Sequence, residues 1–492
     1  MADRSYGTLV HPSCFRTKYG IGDFGAEAYK FVDFLKKSKQ RYWQILPIEP
    51  CDNENSPYKC HSAFAGNELL ISIDLLVRDG LINNSDIKFD EYLNKERVDY
   101  EKCRKLKYKY YRIAYDNFKK YSIQKDEYEK FCNEEEEWLK DYSLYIALSN
   151  YFKKSSWVNW EMSIVNRNHE AISYYENLLV KEIEFQKFLQ YIFLKQWLSL
   201  KKYANENGIK IIGDLAMYVS HNSCDVWVNK DLFKLDNNNK PVEVSGFPAD
   251  PFFGDDQVWG HPVYDWDRMK EEDFNWWMKR INNLLKKIDV IRFDHFRGFE
   301  SYWVIPIIDG GVGKGYWKKG PSYDFFNAVI NKFGKIPIIV EDLGYTNEEI
   351  VKLKDFYSFM GIKVLQYGVE YYEKYDTMYN TVTYLGTHDN DPILGWYKSL
   401  CLNEQLKIKK LVDISCNDKS SISWGFISYA MKSISKIVII PVQDILSLGR
   451  EGRMNTPGTL GGNWEWTFDV GELNSTIINK ISKIAMLYER NT

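Results

Sequence analysis

No run of apolar residues in this 492-residue chain approaches the roughly 20 that a membrane crossing needs; a stretch such as 437–442 is far too short. Neither sign of charge dominates, with 65 Lys and Arg against 68 Asp and Glu. No basic cluster offers a partner surface to nucleic acid or an anionic membrane. The eight cysteines are scattered, without a CxxC pair or a His/Cys cluster at zinc spacing. A disulfide framework and a metal knuckle are both excluded, and reduced thiols in a cytoplasmic protein are the expectation. No two histidines stand at i, i+4 and no Asp-rich calcium loop occurs, so no metal is expected. The glycine-rich stretch 310–315 lacks the GxxxxGK[ST] pattern and reads as a loop, so no cofactor is expected. Residues 1–6 are polar and no apolar leader follows them. No Pro/Gly/Ser-rich linker or internal repeat divides the chain, which reads as one unit over 1–492.

Aromatic residues, by contrast, are abundant, at 16% of the chain. Most serve a large core. Trp and Tyr also present flat apolar faces with a polar handle, which suits stacking on sugar rings. Short apolar segments that end in polar residues recur at 7–12, 42–48, 211–217, 290–295, 336–343, 363–368, 381–389 and 437–444. Continuous apolar runs of this kind are expected of parallel strands covered on both faces. Amphipathic helical stretches lie between many of them, as at 274–287, where Trp277, Ile281, Leu284 and Leu285 recur at helical spacing. Eight strands with intervening helices predict an α/β fold, the (β/α)8 or TIM barrel. Such a barrel takes about 250 residues, so large insertions are required. The largest, 51–200, is mainly helical in pattern, with Leu106, Tyr110, Ile113 and Phe118 on one stripe. Asn133 before the acids 134–137 reads as a helix N-cap with a solvated acidic first turn.

In such a barrel the polar residues at strand C-termini are the catalytic candidates. Those ends carry Asp214, Arg292, Asp294, Glu341, Asp342, His388, Asp389 and Asp444. Carboxylates crowded on one face repel each other and raise each other's pKa, so such crowding is tolerated for chemistry or for a metal. Arg292 and Asp294 are two apart and point the same way, and an arginine beside a carboxylate keeps it ionised, as a nucleophile needs. Adjacent Glu341 and Asp342 point to opposite sides, and periodicity does not choose between them. His388 and Asp389 pose the same choice unless the strand ends first and the chain bends. One ionised and one protonated carboxyl are what glycosidic bond cleavage requires, and a third acid can hold the sugar hydroxyls.

At these residues the sequence resembles the 4-α-glucanotransferases (amylomaltase or disproportionating enzymes), glycoside hydrolase family 77 of the α-amylase superfamily. The matching segments are HPSCFRTKYGIGDFG at 11–25, WQILPIEP at 43–50, NSPYKCHSAFAGN at 55–67, GDLAMYVSHNSCDVW at 213–227 and QVWGHPVYDW at 257–266. VIRFDHFRGFE at 290–300, VEDLG at 340–344, GTHDND at 386–391 and PVQDILSLGREGRMNTPGTLGGNWEW at 441–466 complete the set. The resemblance implies that Asp294 is the nucleophile, Glu341 the general acid/base and Asp389 the stabiliser of the transition state. It implies that Arg292 pairs with Asp294, and that Asp214, His388 and the Ser56-Pro57-Tyr58 segment hold the donor sugar. Asn463 and Trp464 are placed near the glucan groove, and Trp259 on the acceptor path together with Tyr264, Trp266, Phe252 and Phe253.

Glu341, as the acid, is expected to have a raised pKa. The substrates implied are α-1,4-glucan donors and acceptors, from maltooligosaccharides to glycogen, in maltodextrin or glycogen metabolism. The activity implied is transfer of a glucan segment to an acceptor 4-hydroxyl by a retaining double displacement. The alternatives are an α-amylase-like hydrolase, disfavoured by the helical insertion, and a non-catalytic glucan-binding protein. No feature sets the oligomeric state, and a monomer is compatible with the sequence. A smaller, loop-rich insertion over 220–270 is expected to lie on the acceptor side. There Ala249 replaces the family's usual proline and His261 its usual asparagine, which bears on acceptor choice.

Overall fold

The computed structural model describes residues 4–52, 54–88, 93, 96–153, 155–249, 256–308, 311–344, 347–368, 379–414, 416–459 and 461–490. Eight parallel strands close into a barrel: β1 (Ser5–Leu9), β2 (Tyr42–Gln44), β3 (Lys210–Leu215), β4 (Val290–Phe293), β5 (Ile338–Val340), β6 (Met360–Val364), β7 (Thr381–Tyr384) and β8 (Ile437–Pro441). Each pairs with its neighbours in chain order, and β8 returns to β1 with Ser5 opposite Ile437. Every residue of β1, β4, β5, β7 and β8 is buried, and in β5 and β8 the sequence accordingly runs apolar without alternation. β1 also lies so close to β2 that a Cβ on Gly7 would fall 2.2 Å from the Tyr42 carbonyl oxygen.

The strands are shorter than the apolar runs that announce them. The run 336–343 yields strand only over Ile338–Val340, and the run 381–389 only over Thr381–Tyr384. Past Val340 and Tyr384 the chain turns irregular, at the barrel's C-terminal end. The sixth strand is a correction: it spans Met360–Val364, and the expected 363–368 segment is mostly a 3-10 turn, Leu365–Tyr367.

Between β2 and β3 the chain passes through helices that include Tyr100–Tyr121, Lys125–Glu134, Glu136–Tyr151, His169–Leu178 and Val180–Glu206. Tyr110 and Phe118 are buried and Leu106 and Ile113 half-buried, so the expected stripe is the packed face of the first of these. Asn133 does not cap a helix. It lies inside Lys125–Glu134, and the next helix is led by Glu135. Nor is Glu135 solvated: it is buried and accepts from Lys286 Nζ at 2.5 Å and Trp138 Nε1 at 2.7 Å. The 27-residue helix Val180–Glu206 buries glutamines for a reason. Gln190 bonds the Gly66 N–H at 2.7 Å and carbonyl at 3.0 Å, and Gln196 does the same for Ser72 at 2.7 and 3.1 Å. Buried loop backbone thereby finds its partners inside the protein.

A second, antiparallel sheet was not legible in the sequence. Ser301–Ile308 pairs with Glu243–Phe247, which pairs in turn with Gln257–Pro262, and Tyr316–Lys319 lies on the other side of Ser301–Ile308. The 220–270 stretch therefore carries strands and the short helix Cys224–Val228 as well as loops.

Candidate active site

Arg292 stands on β4 two residues before Asp294. Its Nη1 donates to both Asp214 oxygens, at 2.6 and 2.5 Å, and to Asp294 Oδ1 at 3.1 Å. Its Nη2 donates to Glu341 Oε2 at 2.8 Å. Asp214 sits opposite Arg292 on β3, and Glu341 comes directly after β5. Three acids from three adjacent strands thus share one buried guanidinium. Exposure then divides them. The Asp214 side chain is 0% exposed and Arg292 3%, whereas Asp294, Glu341 and Asp389 are 24%, 25% and 33% exposed. Asp214 and Arg292 make a closed floor, and the other three carboxyls open above it.

The geometry separates the adjacent pairs. Glu341 faces Arg292 and also accepts the His295 N–H at 3.1 Å. Asp342 turns away, accepting from Lys354 Nζ at 2.7 Å and from the Ile362 N–H at 2.8 Å, which ties it to β6. His388 and Asp389 both reach the site, because β7 ends at Tyr384 and the chain bends before them. Their side chains meet at 3.4 Å, Nε2 to Oδ2. Tyr58 stacks on His388 with ring centroids 4.9 Å apart, and its hydroxyl donates to Asp214 Oδ2 at 2.8 Å. Trp464 flanks this pair, 6.0 Å from Tyr58 and 5.8 Å from His388.

The remaining candidates are more distant from the acids or support them. Ser56 Oγ accepts the Tyr58 N–H at 3.3 Å and so shapes the turn beneath it. Asn463 uses its amide within its own loop, accepting from the Thr456 N–H at 2.9 Å and donating to the Thr459 carbonyl at 3.1 Å. Trp259 is half-buried, edge-on to His295 at 4.8 Å and parallel to Phe247 at 6.2 Å. Tyr264 and Trp266 are core residues, the first bonded to the Met217 carbonyl at 2.8 Å and the second stacked on Trp277 at 6.1 Å. Phe252 and Phe253 lie outside the described residues, as does Gly310 of the glycine-rich stretch. Ala249 is exposed, and His261 is buried parallel to Tyr218 at 6.1 Å. Asp444 is buried, with Oδ1 accepting the Ile393 N–H at 2.7 Å, so it anchors the helix Ile393–Ser399.

Two residues were missed in the sequence. Asn455 Nδ2 donates to Asp389 Oδ1 at 2.6 Å. Arg453 donates to the Asp389 carbonyl at 2.6 Å and is itself held by Asp391 at 2.9 Å. Both come from irregular chain without periodicity, and their only signal is membership of the 441–466 segment.

Charge in the site is asymmetric. Burial, and then the charges of Glu341 and Asp214 against the pull of Arg292, push Asp294 well above the usual carboxylate range. Burial acts on Glu341 too, but Arg292, the contact with Asp294 and the His295 N–H outweigh it and hold Glu341 low. The two carboxyls therefore titrate as a pair in which Asp294 is the harder to ionise. This corrects the expectation that Glu341 is the raised member, because Glu341 alone accepts two N–H donors. For Asp389, burial is outweighed by His388, Asn455 and Arg292, which keep it ionised. Burial lowers His295 to about 4, so that ring is neutral.

A buried arginine bonded to two carboxyls, with a third acid at the same C-terminal end of a (β/α)8 barrel, defines an enzyme class that works on glycosidic bonds. Comparison with known proteins narrows the class. The profile of the 4-alpha-glucanotransferase family matches residues 10–472. The 4-alpha-glucanotransferase of Clostridium butyricum is 40% identical over 98% of this chain and 100% of its own. That of Thermus thermophilus is 36% identical over 99% of each. Among solved structures, the amylomaltase of Streptococcus agalactiae in complex with acarbose superposes with a TM-score of 0.94 at 35% identity, covering 99% of both chains. The chain belongs to the 4-alpha-glucanotransferase family, whose enzymes are glycosyltransferases acting on α-glucans. No helix among the described residues is long and apolar enough to cross a membrane.

Proposed function

We propose that this enzyme transfers a segment of an α-1,4-glucan to the 4-hydroxyl of another glucan by double displacement at Asp294 and Glu341. The observation that carries this reading is the carboxyl pair itself. Retaining enzymes keep their two carboxyls about 5–5.5 Å apart and inverting enzymes about 6.5–9.5 Å. Here both are bonded by one guanidinium, Asp294 through Nη1 at 3.1 Å and Glu341 through Nη2 at 2.8 Å. As the donor enters, its glycosidic oxygen takes up a proton from Glu341. Asp294, now a carboxylate steadied by Arg292, attacks the anomeric carbon as the bond to the leaving chain breaks. The acceptor 4-hydroxyl then gives its proton to Glu341 and its oxygen displaces Asp294. Asp389, held ionised, faces the positive charge that develops on the sugar in both steps. Tyr58 and His388 bind the donor sugar above the Asp214–Arg292 floor, and Trp259 borders the acceptor side. The enzyme works in the cytoplasm, a setting that agrees with its eight unpaired cysteines.

The test is to incubate the protein with maltotriose and separate the products by size. Glucose plus a ladder of longer glucans, with little net gain of reducing ends, is the expected result. Glucose and maltose alone, with reducing ends rising in step, would replace transfer by hydrolysis.

A further inference from the structure

Asp294 and Glu341 each follow directly on a strand, whose pleat sets the direction of the side chain. Asp389 does not: β7 ends at Tyr384, and the acid lies further on in irregular chain. A partly exposed aspartate on such chain keeps several rotamers open unless partners close them. The partners come from residues 453–455, which follow the 3-10 turn Arg450–Gly452 beyond β8. Asn455 donates its backbone N–H to the His388 carbonyl at 3.1 Å and its Nδ2 to Asp389 Oδ1 at 2.6 Å. Arg453 donates from Nη2 to the Asp389 carbonyl at 2.6 Å and from Nη1 to Asp391 Oδ1 at 2.9 Å. Its Nε donates to the Asn455 carbonyl at 2.7 Å, which braces the segment across itself. Between the two, the Met454 carbonyl accepts the Trp464 N–H at 2.7 Å. Asp389 and the aromatic flank of the donor site therefore hang on one three-residue segment.

The contacts are divided in a way that suits an acid whose charge is needed. The one cation of the segment, Arg453, is directed to Asp391 and to a backbone carbonyl. The Asp389 carboxylate itself is held by a neutral amide at Oδ1 and by His388 Nε2 at 3.4 Å from Oδ2. A neutral amide fixes direction and leaves the negative charge for the sugar, where a lysine or arginine in its place would cancel it. A group set in place beforehand stabilises developing charge without reorganising at the moment of reaction.

We infer that Asn455, braced by Arg453, is a positioning residue for the reaction, which holds the Asp389 carboxylate in the direction from which it faces the charge on the sugar. The inference rests on the reading of Asp389 as the stabiliser of that charge.

Asn455→Ala tests it, since alanine removes the amide and keeps the backbone bond to His388. The expected result is a kcat on maltotriose lowered about 10–100-fold, as for a group displaced by about an ångström, with KM changed less than about threefold. The same loss is expected in fluoride release from maltotriosyl fluoride, because a donor that needs no proton relieves a damaged general acid but not a damaged charge stabiliser. In an Asp389→Asn background, Asn455→Ala should change that release rate less than about twofold, because it acts through a group already removed. Arg453→Lys lacks the fork that serves Asp391 and the Asp389 carbonyl together, so it should show a smaller loss with the same pattern, and it carries the test if Asn455→Ala does not fold. Recovery with the fluoride, an unchanged kcat, or full multiplication of the two losses in the double variant would overturn the inference. Should Asp389→Asn itself keep wild-type turnover, the reading of Asp389 fails and the inference with it. Should Asp389→Asn lose turnover while Asn455→Ala and Arg453→Lys do not, only the inference fails.

Discussion

At the scale of single residues, the contrast between Glu341 and its neighbour Asp342 is the sharpest check on the chemistry. Glu341→Gln removes the group that carries the proton to the leaving oxygen. Turnover of ordinary glucans should fall by about 10²–10⁴-fold, the usual range for a general acid. A glycosyl fluoride donor needs no such proton, so formation of the covalent intermediate should largely recover with it, and equal losses on both donors would contradict the assignment. Asp342→Asn should leave kcat within about threefold, because Asp342 faces Lys354 and the Ile362 N–H instead of the site. Its effect should appear in stability, a loss of roughly 1–3 kcal/mol for the weakened partners, measured by denaturant unfolding.

Asp444 makes a different prediction at the same scale. Burial raises it to about 7, and its Oδ2 has no partner among the described residues. A carboxyl whose folded pKa lies above its unfolded value of about 3.9 stabilises the fold below that value. The stabilisation is lost as pH rises toward about 7. Asp444→Asn keeps the acceptor for the Ile393 N–H and removes the titration. Its melting temperature should match wild type near pH 4 and exceed it at pH 8, by roughly 2–4 kcal/mol in free energy. A difference that does not grow with pH would show that the carboxyl is not the source.

At the scale of elements, the barrel was legible because buried parallel strands write themselves as continuous apolar runs, and Ile437–Pro441 is the plainest case. The antiparallel sheet was not. Glu243–Phe247 (EVSGF) has Val, Ser, Gly and Phe all buried in succession, and Gln257–Pro262 (QVWGHP) shows no clean alternation, so neither carries the period-two signal of a half-exposed strand. The site divided in the same way. Arg292 and Asp294 declared themselves by strand spacing, but Asn455 and Arg453 lie in irregular chain where no periodicity operates. The unforeseen sheet places Trp259 against His295, the residue after Asp294. Transfer requires an acceptor held at high effective molarity and water kept from attack. Trp259→Ala should therefore raise the ratio of hydrolysis to transfer, by about 3–10-fold. The measurement is reducing ends released per ladder product formed from maltotriose, and an unchanged ratio would remove Trp259 from the acceptor path.

At the scale of the whole molecule, the question is whether the helices between β2 and β3 form a separate body or part of the barrel's own core. The packing answers through Trp197, on the helix that leads back to β3. Its ring is fully buried, 5.0 Å from Phe24 and 6.4 Å from Trp43 of β2, and its Nε1 donates to the Lys287 carbonyl at 2.9 Å, where the helix before β4 ends. One side chain thus joins the insertion to three barrel segments, and the buried residues of insertion and barrel belong to one continuous cluster. Elements that share a core lose it together, so heating should give a single transition whose calorimetric and van't Hoff enthalpies agree. Trp197→Ala should lower the stability of the entire transition, by about 3–5 kcal/mol as for other buried tryptophans, without splitting it. If scanning calorimetry instead resolves two transitions, and the substitution moves only one of them, the insertion is an independent unit and its contacts with the barrel are a docking interface.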